Sequence, residues 1–180
     1  KALNVDFRGA SPRYTGPKLH ADKPGVQIDL WGIHRRWIEH PSGGYWDYCD
    51  FPLKDATVED VEKWPMPSPD DHDYEDIVEQ CRQQKEYCIR VGGAGTGDII
   101  NKSGMLFTME ETLVRLMTDD PALILFTDRR LAIDLEIIRR TIEASRGGVD
   151  ILQLGEDLGT QIGPMVSLDF FRKVIRPRHQ

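Results

Sequence analysis

Cysteine is scarce in this sequence. Cys49, Cys81 and Cys88 are the only three in 180 residues, an odd number at neither CxxC nor zinc-ribbon spacing, which disfavours a disulfide framework and points to a reducing, cytoplasmic setting. Long apolar runs are absent: the longest, Ala122 to Phe126, is far too short to span a bilayer. Net positive charge is absent too. With 23 Lys and Arg against 30 Asp and Glu, the net charge of -7 repels a phosphate backbone and an anionic membrane surface alike, so neither nucleic acid nor membrane is an expected partner. No His stands two positions from a Cys, and His20, His34, His40, His72 and His179 are scattered, so the spacing shows no zinc set. There is no GxSxG or other nucleophile motif, no internal repeat and no low-complexity tract.

What is present is ordinary for a globular domain: 39% hydrophobic and 29% charged residues, with 16 Gly and 11 Pro. The length fits one domain over residues 1–180 with a sizeable core. Both ends read as cut from something longer: the chain opens at Lys1 directly into Ala2, Leu3, Val5 and Phe7, without a signal-peptide pattern, and stops just past a helical pattern. Composition divides it at residue 72. Residues 1–72 hold all four Trp and most of the Pro, in short extended pieces such as Val26 to Trp31 and Tyr45 to Cys49, an irregular aromatic-rich elaboration. Pro65, Pro67 and Pro69 bar helix interior and make a connector between two helices.

Residues 73–180 carry clearer periodicity. Tyr74, Ile77, Val78 and Cys81 fall at i, i+3, i+4, i+7, predicting a helix over 73–86 with one buried face. Cys88 to Val91 reads as a buried strand ending in the glycine loop Gly92 to Gly95. Thr108 with Glu111 is a capping box opening a helix to Met117, and Asp120-Pro121 opens a longer one that Gly147-Gly148 stops after Arg146. Asp150 to Leu154 is the next strand, and Ser167 begins a last helix that Pro177 ends. Strand, helices, strand, helix is the rhythm of parallel βα units. It predicts a partial (β/α)8 barrel, with a small open α/β sheet as the alternative, though that topology needs more strands than the pattern supplies.

Two familiar phosphate-binding patterns fail on detail. Gly93-Ala94-Gly95-Thr96-Gly97 is GxGxG rather than GxGxxG, and no acid ends a following strand where a ribose needs one; Asn101 stands before Lys102-Ser103 where a P-loop requires Gly. The glycines fit either a tight turn or a close approach of ligand to backbone. The loop Gly155 to Pro164 is the most informative segment. It puts Glu156, Asp157 and Gln161 among glycines just beyond a buried strand, where a carboxyl in an apolar pocket can act as general acid or stabilise a developing cation; capping the next turn or pairing with an Arg is the structural alternative. Asp29 in Ile28-Asp29-Leu30-Trp31-Gly32 is a similar acid at a strand end, and equally a turn former.

Asp29-Leu30-Trp31-Gly32-Ile33, Phe51-Pro52-Leu53 leading into Thr57-Val58-Glu59-Asp60-Val61, Asp120-Pro121-Ala122-Leu123-Ile124, and Asp150 through Gly163-Pro164-Met165 to Pro177 together resemble the uroporphyrinogen decarboxylase superfamily. The likeness covers nearly the whole chain in the right order, as the central part of a longer protein. The resemblance implies a (β/α)8 barrel enzyme of one of two chemistries: cofactor-independent decarboxylation of a porphyrinogen, or transfer of a methyl group between a corrinoid cobalt and a zinc-activated thiol or another acceptor. The loops at Gly93 to Asp98 and Gly155 to Asp157 depart from those of true decarboxylases, and the likeness is closer to the methyltransferase-like branch. It implies demethylation of a small methylated substrate, a corrinoid protein as partner, zinc ligands beyond Gln180, and leaves self-association and a non-catalytic barrel subunit open. Glu156 and Asp157 are the expected catalytic residues. Asp29, Trp31, Gly95, Asp98 and Gln161 are expected to border the substrate.

Overall fold

The computed structural model of the chain describes residues 5–180; the expected apolar opening at Ala2 and Leu3 lies outside the described residues. In chain order the strands are β1 (Phe7–Gly9), β2 (Arg13–Tyr14), β3 (Gln27–Ile28), β4 (His34–His40), β5 (Gly43–Tyr48), β6 (His72–Asp73), β7 (Cys88–Gly92), β8 (Ile151–Gln153), β9 (Gly159–Thr160) and β10 (Gly163–Pro164). The α-helices are α1 (Val58–Lys63), α2 (Ile77–Gln83), α3 (Ile100–Phe107), α4 (Met109–Met117), α5 (Pro121–Ala144) and α6 (Leu168–Phe170), the last continued by π and 3-10 turns to Arg178. The chain divides into two compact units.

The first unit comprises, among the described residues, 5–17, Ser68–Asp98 and Ala132–Glu156. Its centre is a parallel sheet in the order β1-β7-β8, with Gly9 opposite Arg90 and Arg90 opposite Ile151. The parallel pairing of 88–91 with 150–154 expected from the βα rhythm is therefore present. Ile89 is buried and packs with Ile77 and Cys81 of α2, with Ala10, and with Ala144 at the end of α5. Asp150 sets the start of β8: its amide donates to the Ile89 carbonyl and its carboxylate accepts the Ile89 amide, both at 2.8 Å. The helix expected over 73–86 is shorter, because His72–Asp73 pairs as β6 with β2 and the Asp73 carboxylate turns the chain by accepting from the Glu75 amide. Val78, expected on the buried stripe, is 37% exposed.

The second unit comprises Lys18–Pro67, Ile99–Leu131 and Asp157–Gln180. Its core gathers Ile33, Leu53, Val61, Leu106, Phe107, Leu123, Phe126 and Ile175, with Phe107 and Phe126 edge to face at 5.4 Å. The helix starts are built as the sequence prescribes. Thr57 and Asp60 exchange capping bonds at α1, the Thr108 hydroxyl accepts from the Glu111 amide at α4, and the Asp120 carboxylate accepts the Ala122 and Leu123 amides at the start of α5. Lys102 and Ser103 lie inside α3. Arg115 ties the 54–56 loop to this core by donating to the Lys54 and Ala56 carbonyls, each at 3.0 Å. An antiparallel ribbon in the order β3-β4-β5 and the small hairpin β9–β10 complete the unit.

The (β/α)8 barrel is not what forms. Among the described residues only three strands are parallel in one sheet, and the other seven fall into antiparallel pairs and a ribbon. The physical reason is that closure needs eight parallel strands at a common tilt and stagger, while the extended segments between residues 13 and 73 pair antiparallel, β3 to β5 through local turns and β2 with the distant β6. The small open α/β sheet, set aside for want of strands, is nearer the structure, because Phe7–Gly9 supplies a third strand that its brevity concealed. None of the described helices is long and apolar enough to cross a membrane.

Phe126 is fully buried. Truncation to Ala is expected to cost about 3–5 kcal/mol in a denaturant titration followed by circular dichroism, with Phe126→Leu costing far less.

Candidate functional site

The two loops expected to carry function meet at the carboxyl ends of β7 and β8. β7 ends on Gly92 with φ +81°, a conformation other residues adopt with strain, and a Cβ there would overlap the Gln153 carbonyl oxygen. The chain then turns on itself: the Gly93 amide donates to the Thr96 hydroxyl at 2.8 Å and the Thr96 amide to the Gly93 carbonyl at 3.0 Å. Beyond β8, the Gly155 amide donates to the Thr96 carbonyl at 3.0 Å. Gly155 lies flush against the Ala94 backbone, and any side chain there would run into the Ala94 carbonyl. Gly92 and Gly155 thus serve a close backbone-to-backbone approach.

Of the expected residues, this juxtaposition gathers Gly95, Asp98 and Glu156 within the first unit. Asp98 is buried at 6% exposure, while Gly95 and Glu156 are half-buried. Glu156 directly follows the glycine that is clamped, so its backbone position is fixed.

Arg90 and Gln153 were not among the expected residues. Strand alternation puts Arg90 on the face opposite the buried Ile89 and Val91, and its guanidinium donates to the Gln153 side-chain carbonyl and, at 3.4 Å, to the Gly92 carbonyl. The signal was available: an Arg between two β-branched residues in a strand, with a Gln at the matching end of the next one.

The other expected residues belong to the second unit. Asp157 is exposed and accepts from the Gly159 amide at 3.3 Å, a local turn bond. Gln161 is exposed in the turn between β9 and β10, beside the fully exposed Ile162. Asp29 is committed: one carboxylate oxygen accepts the Trp31 and Ile33 amides and the other the Arg35 guanidinium, all at 3.0 Å. Trp31 packs against the hydrophobic core and its carbonyl accepts the Trp64 indole N–H at 3.1 Å. In this structure the Asp29 to Trp31 segment builds its own loop.

His20 stands on that loop. It lies against Gly32 and against the Trp64 ring at 5.1 Å. Its Nε2 is buried without a hydrogen-bond partner. Burial is the largest influence on the ring and lowers its pKa, against smaller opposing effects from Asp29 and the Leu30 backbone. Two open clefts, of about 640 Å³ beside Phe51, Pro52 and Trp64 and about 410 Å³ beside Cys81, Lys85 and Arg146, contain none of the expected residues. Among the described residues no three His, Cys, Asp or Glu side chains gather as a metal-binding group.

The unfolded His20 ring titrates near 6.5 and the folded ring below that. Between the two values the unfolded chain binds the extra proton, so stability is complete above pH 6.5 and falls as pH drops through that window. Denaturation midpoints measured from pH 7 to about 5 are expected to decline, and His20→Gln is expected to flatten the slope. An unchanged slope in the variant would assign the decline elsewhere. Comparison of the chain with family models, with curated proteins and with solved structures gives no match.

Proposed function

We propose that the chain holds the small-molecule substrate of an enzyme of the uroporphyrinogen decarboxylase superfamily, in the branch that removes methyl groups to a corrinoid. The observation that supports this is the glycine clamp at the ends of β7 and β8, which fixes the backbone at Glu156 in the unit that also holds the buried Asp98 and the Arg90–Gln153 pair. In open α/β sheets the carboxyl ends of parallel strands are where ligands bind.

A corrinoid carried by a partner protein would supply the metal that accepts the methyl group. The described residues do not form a zinc site of their own, and the roles given to this chain do not run through one. When a methyl group leaves an ether or amine, the heteroatom retains the bonding electron pair and needs a proton. Glu156 in its acid form delivers that proton, and as the carboxylate it is recharged from solvent. Gln153, oriented by Arg90, hydrogen-bonds the heteroatom or a neighbouring polar group. Asp98, Gly95 and Thr96 border the substrate through the loop. Asp157, Asp29, Trp31 and Gln161 belong to the second unit and are given no part in this site.

A second reading, cofactor-independent decarboxylation, is favoured by Arg90, whose guanidinium suits a substrate carboxylate. A binding subunit without chemistry is the third.

The test is cobalt absorbance during methyl transfer from methylated ethers and amines, with a corrinoid protein and an acceptor thiol. Glu156→Gln is expected to lower kcat by about a hundredfold or more with substrate binding retained. Full turnover in Glu156→Gln contradicts the assignment. Carbon dioxide release from uroporphyrinogen without corrinoid, abolished by Arg90→Met, selects the decarboxylase reading. Binding of a methylated substrate without turnover in any assay selects the binding subunit.

A further inference from the structure

The ribbon of β4 and β5 carries large apolar side chains that the rest of its unit leaves uncovered. Residues directly opposite one another share a face. The register Arg35↔Tyr48, Trp37↔Trp46 and Glu39↔Gly44 therefore defines one face, and Arg36↔Asp47, Ile38↔Tyr45 and His40↔Gly43 the other. β3 pairs with β4 only at His34 and Arg35, the base of the ribbon. From there to the tip Trp37 is 45%, Trp46 47%, Tyr45 51%, Tyr48 39% and Ile38 39% exposed. A two-stranded ribbon with bulky rings on both faces has no inner side, unlike the half-covered antiparallel sheets of ordinary domains. Contiguous exposed apolar surface of this kind marks an interface.

The Trp37 face carries both indoles. Trp37 and Trp46 meet edge to face at 5.6 Å. Gly44, opposite Glu39, lacks the side chain that would block the Trp37 ring from lying across it. The Arg35 guanidinium stands over the Tyr48 ring at 5.2 Å. Charge is distributed along this face with opposite sign at its ends. Arg35 lies two residues from Trp37 toward the base, and Glu39 two residues from it toward the tip. Arg35 gives one of its five N–H donors to Asp29, through Nη1.

We propose that this face is a self-association surface on which two copies of the chain pack ribbon on ribbon, antiparallel, about a two-fold axis at the Trp37–Trp46 pair. That operation sets the tip of each ribbon over the base of the other, so Glu39 of one copy meets the Arg35 and Tyr48 end of its partner, twice. The indoles are buried at the axis. An isologous interface demands such self-complementarity, and a parallel overlay would instead put Glu39 on Glu39 and Arg35 on Arg35. Aromatic residues and Arg are also the residue types that dominate interface energetics.

Sedimentation equilibrium of the 180-residue chain over a wide concentration range tests the proposal, with tryptophan emission recorded alongside. The expected result is a monomer–dimer equilibrium in which association blue-shifts the emission. Trp46→Ser is expected to yield monomer. Glu39→Arg, at the exposed tip where the fold is not at stake, is expected to weaken the dimer about tenfold, equivalent to roughly 1.4 kcal/mol. Ile38→Ser on the opposite face is expected to leave the dimer unchanged, with circular dichroism confirming the fold of each variant. A chain that stays monomeric at every concentration overturns the proposal. So does a dimer indifferent to both Trp46→Ser and Glu39→Arg, or one broken only by Ile38→Ser. A blue shift of a monomer on addition of phosphatidylcholine vesicles would assign the face to a lipid surface and likewise overturn it.

Discussion

The close contact between Gly155 and the Ala94 backbone is the constraint on which the candidate site depends. Parallel strands exchange no tight hairpin, so nothing in their connection fixes how the loops at their ends lie. Here backbone packing supplies that fixity. The Gly155 amide is held by the Thr96 carbonyl, and Gly92 lets the Gln153 carbonyl approach where a Cβ would stand. At the opposite end of the same strands Asp150 makes a reciprocal pair of bonds with Ile89. β7 and β8 are therefore pinned at entry by a carboxylate and at exit by the absence of side chains. Glu156 inherits its position from the second of these.

The second unit is stabilised differently. Its core is a conventional cluster of aliphatic and aromatic side chains, but its irregular segments are held by single polar groups that each satisfy several backbone atoms. Asp29 takes two amides and a guanidinium, Arg115 reaches two carbonyls, and Asp120 takes two amides. Such residues resemble functional acids and bases in a sequence, because both uses demand a charged group at a turn. In Asp29 the structural use occupies both oxygens.

Legibility in the sequence followed how local the determining physics is. The long helix α5 was readable because Asp120-Pro121 and Gly147-Gly148 mark its ends in the sequence itself, and the structure ends it at Ala144, within two residues of the expected stop. β7 and β8 were readable as apolar runs bounded by turn residues, and their parallel pairing followed from the helices between them. β1 was not, since three residues carry no periodicity and their strand character comes from pairing with Cys88 to Arg90. α3 was hidden by the glycine loop before it and by its own Gly104, a poor helix residue that here lies against Met109. The barrel was an extrapolation of rhythm: two readable strands set a pattern, whereas of the strands before them only β1 joins them in parallel and the rest pair antiparallel. For the glycines after β7 the sequence left a tight turn and a close approach of ligand to backbone both open; what approaches at Gly92 and Gly155 is the chain's own backbone. The pairing of Arg90 was not legible because its side-chain partner, Gln153, lies 63 residues away in the sequence.

Amide hydrogen exchange at Gly155, resolved by NMR, bears most directly on the clamp. If the two loops are locked together as described, this amide exchanges as slowly as those of Val91 and Leu152 in the adjoining strands, despite lying outside any strand. Exchange at the rate of an exposed turn, such as that of Ile162, would mean that the loops part freely and that Glu156 has no fixed position.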